Sequence, residues 1–142
     1  MYCHCYFFFG WLGFRIKSNT ERADVIESNL VGKNLTYTES DYTSCFANVG
    51  VNFKNVREYR FNSNGEVEFY SLSSSEWTGA AKDYDSSLED QFYEESKTYD
   101  YFVTVNLFGQ ATVNIKNNSY LLEVDDQDNP ISITEGDRIY YR

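Results

Sequence analysis

Histidine is almost missing from this chain: the sequence holds one, His4, and with so little imidazole the Ser-His-Asp and Cys-His arrangements have no place in its main body. Cysteine is scarce as well. Cys3 and Cys5 sit close together at the N-terminus and Cys45 stands alone, which does not make a disulfide framework. The string Cys3-His4-Cys5 has no second ligand pair of the kind structural zinc requires, so neither metal nor cofactor is expected. Basic residues are few, 12 Lys and Arg against 22 Asp and Glu, for a net charge of -10 and an isoelectric point near 4.4. Nucleic acid is excluded as a partner on that ground, because neutralising phosphates needs a Lys/Arg patch. The one local basic excess is Arg15 with Lys17, while Lys54, Arg57 and Arg60 are interleaved with Glu58. The acidity reads as solubility.

Proline and methionine each occur once, against 13 tyrosines and 11 phenylalanines. Aromatic and β-branched residues fit pleated, half-buried surfaces, so the composition favours β structure. A chain of 142 residues suits one domain and buries roughly 68–70% of its unfolded surface without needing metals or disulfides.

The apolar run Tyr6–Phe14 (YFFFGWLGF) is shorter than the roughly 20 residues a bilayer span needs. It also lacks the charged leader and small-residue cleavage site of a complete signal peptide. It reads as the remnant of an export signal or membrane anchor, as a strand that closes the domain, or as a sticky tail. Residues 18–29 (SNTERADVIESN) predict a short helix capped by Asn19 or Thr20, with Ala23, Ile26 and Leu30 at helical spacing and Gly32 ending it. The division that follows is an N-terminal segment and helix over 1–29 and a β domain over 30–142.

Beyond Gly32 the period becomes two. Asn34–Tyr42 and Cys45–Phe53 alternate, and Gly50 marks a bulge or a close backbone approach. The clearest local signal is a hairpin, Val56–Phe61 against Glu66–Leu72, around Asn62-Ser63-Asn64-Gly65; Val67 and Phe69 point inward, and Glu66, Glu68 and Tyr70 outward. Residues 73–99 break the rhythm. Within them Ser86-Ser87-Leu88-Glu89 matches a capping box and predicts a helix over 87–96, on a segment that suits a lid, a partner surface or a solvated insertion. From Tyr99 onward YDYFVTVNLF, ATVNI, SYLLEV, ISIT and RIYYR alternate between turn residues, the mark of an all-β barrel or sandwich.

The helix followed by LVGKNLTY (30–37), the hairpin YRFNSNGEVEFY (59–70) and the close SYLLEVDDQDNPISITEGDRIYYR (119–142) together resemble small bacterial lipocalin-like domains. Where the lipocalin signature has Gly, any residue, then Trp, this chain has Gly32-Lys33-Asn34. The resemblance implies an antiparallel up-and-down barrel of about eight strands, export from the cytoplasm, and an apolar cavity.

Acid chemistry has two candidates. Glu66 and Glu68 share a strand face about 7 Å apart, a spacing open to glycoside hydrolysis but shared by any exposed polar strand. The run Asp125–Pro130 resembles half a calcium loop, yet Ile131 falls where Gly is required, and a polar turn explains it as well. The expectation is therefore a non-enzymatic barrel holding a small apolar ligand, with Tyr59, Phe61, Phe69, Phe102, Phe108 and Tyr120 as cavity walls. The same spacing also builds an ordinary core. The competing expectation is a cell-surface module that meets a protein partner through acidic residues 73–99, and in either case the N-terminal segment offers membrane attachment.

Overall fold

The computed structural model describes residues 18–142. Helix α1 (18–30) is followed by strands β1 (Asn34–Phe46), β2 (Val49–Phe61) and β3 (Glu66–Trp77), helix α2 (Gly79–Tyr84), and strands β4 (Gln91–Val105), β5 (Ala111–Ile115), β6 (Asn118–Val124), β7 (Pro130–Glu135) and β8 (Arg138–Tyr141). Each strand pairs antiparallel with the next, and β8 returns to β1 through Thr36 opposite Tyr141. The result is a closed eight-stranded up-and-down barrel, as expected from the alternation. The two readings of the N-terminus, Cys3-His4-Cys5 and Tyr6–Phe14, lie outside the described residues.

Period-two burial explains the barrel, and helical spacing explains its floor. Leu35, Tyr59, Phe61, Val67, Tyr101, Val103, Val113, Ile115, Leu122, Ile133 and Tyr140 all turn inward and are buried. Ala23, Ile26 and Leu30, at i, i+3 and i+7, close one end of that core from α1. Polar ties fix the docking: Arg22 pairs with Asp128 at 2.7 Å and donates to the Gly109 carbonyl, and Glu27 accepts from the Val103 amide. The 29/30 boundary read from the sequence thus falls at the end of a helix that contributes to the barrel core. Asn19 and Thr20 are not caps, since residue 18 is already helical and the Asn19 amide reaches across to the Asn106 carbonyl instead. Gly32 does end the helix, with φ at +76°, as its lack of a Cβ allows.

The strands are unequal, and this shapes the molecule. β1–β4 run 13, 13, 12 and 15 residues while β5–β8 run 5, 7, 6 and 4. The far halves of β1–β4 therefore rise beyond the barrel mouth as a four-stranded wall. β5 pairs only with Tyr101–Val105, so residues 91–100 of β4 form an open sheet edge among the described residues.

Two expectations need correction. Cys45–Phe53 is not one strand: a turn at Ala47-Asn48, with Ala47 at φ 46°, divides it between β1 and β2. Gly50 nevertheless marks a close approach, because a Cβ there would overlap the Tyr42 hydroxyl and lie 2.6 Å from the Thr43 carbonyl oxygen. The helix expected over 87–96 is absent, since Gln91–Ser96 pair with Tyr70–Ser75 of β3. The Ser87 hydroxyl bonds back to Asp85, and Phe92 is 65% exposed, so a helix there would bury no apolar face whereas the strand satisfies a full ladder. The short helix instead follows Thr78, whose hydroxyl caps the Ala81 amide.

Core and wall should respond differently to truncation. Ile26→Ala is expected to destabilise by about 2–5 kcal/mol and Phe92→Ala by no more than about 0.5 kcal/mol, read from urea unfolding midpoints. Equal losses would mean that α1 does not close the core.

Candidate functional site at the barrel mouth

The interior is layered. Against α1, Phe61 meets Tyr101 edge-on with ring centroids 4.9 Å apart, and the aliphatic residues around them leave both buried. Above this lies an aromatic layer centred on Tyr59, whose ring is 4.9 Å from Tyr140, 5.2 Å from Phe69 and 6.2 Å from Tyr120; Tyr37 packs on Tyr140 at 5.7 Å. Tilted contacts of this kind suit ring quadrupoles and fix each ring's position.

One carboxylate organises the hydroxyls of that layer. Glu135, at the end of β7, accepts from Tyr140 at 2.6 Å and from Tyr59 at 3.5 Å. The Tyr120 hydroxyl joins the same group through Tyr59, Asn118 and Glu135. Burial first, and then the Glu135 charge, push the Tyr59 phenol well above the ordinary tyrosine value. Burial and the bond to Glu135 do the same to Tyr140, and burial and Glu135 raise Tyr120. The phenols therefore remain neutral donors at physiological pH.

Over this layer opens a cleft of about 210 Å³ lined by Tyr59, Phe69, Tyr99, Tyr120, Lys116 and Glu135 among others. The inward faces of the same strands continue it up the wall, because Tyr59, Arg57, Asn55 and Phe53 alternate on β2 and pair with Phe69, Ser71, Ser73 and Ser75 on β3. There the inward residues turn polar. Glu39, Asp41, Phe53, Asn55, Ser73, Ser75 and Tyr93 line an open trough of about 770 Å³, within the size range of ligand sites.

Of the six residues expected as cavity walls, the structure brings Tyr59, Phe69 and Tyr120 together at the mouth. Phe61 lies deeper, with 2% of its surface exposed, and serves as core. Phe102 and Phe108 are not walls. Phe102 follows the buried Tyr101 and so faces outward, and Phe108 sits in the β4–β5 turn with 92% of its surface exposed. Nor do Glu66 and Glu68 act as a pair, since both lie on the outer face. Glu66 accepts from Asn64, whereas Glu68 accepts from Ser96 and Arg60, and the Ser96 bond foremost holds its carboxyl below the ordinary value. Asp125 folds back to accept from the Gln127 and Asn129 amides as a turn residue. Among the described residues no group of three or more His, Cys, Asp and Glu is placed to hold a metal ion. The sequence reading missed Glu135, Tyr140, Tyr99 and Lys116. Glu135 follows the short run ISIT and precedes Gly136, so it reads as a polar turn residue.

These features define a closed antiparallel barrel with a helix-covered base, an aromatic interior and an open, partly polar mouth. Comparison with family models, with curated proteins and with solved structures finds no match.

The raised phenols make stability sensitive to alkali. Their contribution is complete below about pH 10, the ordinary tyrosine value, and declines as pH rises beyond it, because the unfolded chain releases protons that the folded chain keeps. Urea unfolding between about pH 8 and pH 11 should show this decline in the native protein and a shallower one in Tyr140→Phe. Parallel profiles would show that Tyr140 is not held neutral by its surroundings.

Proposed function

We propose that this chain is a lipocalin-like, non-enzymatic binding barrel working outside the cytoplasm, and that it holds a small ligand with an apolar face at its mouth. The observation that carries this reading is the cleft on the aromatic layer, where Tyr59, Phe69, Tyr99 and Tyr120 offer ring faces while Lys116 and Glu135 offer polar handles. Pockets that combine aromatic walls with a few convergent polar groups are built to orient small molecules. The filled core below limits the ligand to the mouth and the adjoining trough, so the apolar part rests on the rings and the remainder meets Asn55, Ser73 and Asp41. A non-enzymatic role accords with the engagement of Glu66 and Glu68 by separate partners.

A second reading, recognition of a protein through the acidic 73–99 segment, draws on a different observation. Residues 91–100 present an unbulged strand edge, with Phe92 65% and Tyr93 63% exposed beside it, the form in which sheets accept an added strand. Partner recovery that is unchanged when Phe92 and Thr98 are both replaced by Lys would count against it.

The mouth site is tested with N-phenyl-1-naphthylamine, a neutral apolar fluorophore. Saturable binding at one site per chain is expected. Tyr120→Ser should weaken it at least about tenfold and Phe102→Ser should leave it unchanged, with circular dichroism confirming that both fold. Absence of saturation in the native protein, or equal affinity in all forms, would refute the mouth as the site.

A further inference from the structure

At the opposite end of the barrel from the mouth, the β4–β5 turn displays Leu107 and Phe108 side by side, 44% and 92% exposed. The turn is not slack. Asn106 Oδ1 accepts from the Phe108 and Gln110 amides, each at 3.0 Å, its carbonyl accepts from the Gly109 amide, and its own amide donates to the Gln110 carbonyl. Helix α1 pins it from the side, with the Asn19 amide on the Asn106 carbonyl at 2.8 Å and Arg22 Nη1 on the Gly109 carbonyl at 2.7 Å. Gly109 holds φ +80°, a conformation other residues adopt with strain. Two large apolar side chains are thus fixed outward by a built turn, where burial against the adjacent core would be the favoured outcome in water.

The same contacts locate the chain that precedes α1. Asn19 touches Asn106, so residue 18 enters the structure beside the Leu107-Phe108 turn, and the preceding sequence carries YFFFGWLGF at 6–14 followed by Arg15 and Lys17. Two apolar elements far apart in sequence therefore converge on one pole of the barrel. Aromatic side chains with nearby basic residues are the composition that settles at a bilayer interface, with rings at headgroup depth and Lys and Arg reaching the phosphates. One short apolar element gives only reversible membrane binding, and a second contact strengthens it.

We infer that this pole is a membrane-contacting surface, in which the Leu107-Phe108 turn enters the interface of a phosphatidylcholine-like bilayer beside the N-terminal apolar segment. The barrel then stands with α1 and the β4–β5 turn against the lipid and its mouth directed away from it. This surface is separate from the ligand site and would stand if that site were disproved.

The test uses the full chain and phosphatidylcholine vesicles in a flotation assay, with three proteins: native, Leu107→Ser with Phe108→Ser, and Phe92→Ser with Tyr93→Ser on the wall at the other pole. The native protein is expected to float with vesicles, the turn variant to lose about tenfold or more in partition, and the wall variant to match the native. A second measurement places Trp at the tip as Phe108→Trp, with Trp11 and Trp77 replaced by Phe. Its emission should shift to shorter wavelength with vesicles and be quenched by lipids brominated near the headgroup. A native protein that stays with the aqueous fraction, a turn variant that floats like the native, or a tip tryptophan that is neither shifted nor quenched would each overturn the inference. So would sedimentation showing that the turn joins two copies of the chain and that the lipid is untouched.

Discussion

Tyr140 lies wholly buried on a last strand of four residues, between Tyr37 of β1 and Tyr59 of β2, and the sheet closes around it. Backbone pairing across that seam is slight, with Thr36 opposite Tyr141 as its register, so side-chain packing and the hydroxyl bond to Glu135 hold the two ends together. A closed sheet has a single interior, and every inward residue of the other strands is committed to it once β8 is in place. An open sheet of the same sequence would expose the aromatic layer and leave Glu135 among solvent, without the three phenols that now surround it. Closure therefore sets both the core and the chemistry of the mouth.

The inequality of the strands explains the rest of the shape. Beyond the reach of β5–β8 the long strands keep the same alternation, but no opposing strand is there to bury their inner face. Serine, asparagine and carboxylate residues replace the aromatics on that face, as in Ser71, Ser73 and Ser75, and so the wall remains wetted. The wall carries a small apolar cluster of its own at the tip, where Ala81 and Val51 are buried and Phe46 meets Tyr84 edge-on. Barrels normally remove strand edges. This one restores an edge on β4, and charged residues along it (Glu94, Glu95 and Lys97) oppose unspecific pairing.

The two poles differ in kind. The mouth combines neutral phenols, a carboxylate and ring faces on rigid strands. The base is a helix docked by an ion pair and backbone bonds, beside a turn that presents apolar side chains to the outside. A binding site at one end and a lipid-facing surface at the other are compatible because they use different strand ends of one rigid barrel.

Much of this was legible in the residues taken in order. The Asn62–Gly65 turn, the inward Val67 and Phe69, the helix stop at Gly32 and the close approach at Gly50 follow from local rules, because φ angle, strand period and the lack of a Cβ act over a few residues. The capping box at residues 86–89 obeyed the same local rules and lost, because the hydrogen-bond ladder with β3 lies outside its window. Period two also cannot say where an alternating run leaves the core, and so Phe69 and Phe102 looked equivalent until the register of β3, β4 and β5 placed one inside and the other outside. What the sequence by itself determined is the class of element and which residues prefer the interior, since these depend on side-chain size, branching and polarity. Only the tertiary structure decided that Glu135 would gather three tyrosines, that α1 would form the base and that Phe108 would project beside residue 18, because each depends on distances set by sheet closure between residues remote in the chain.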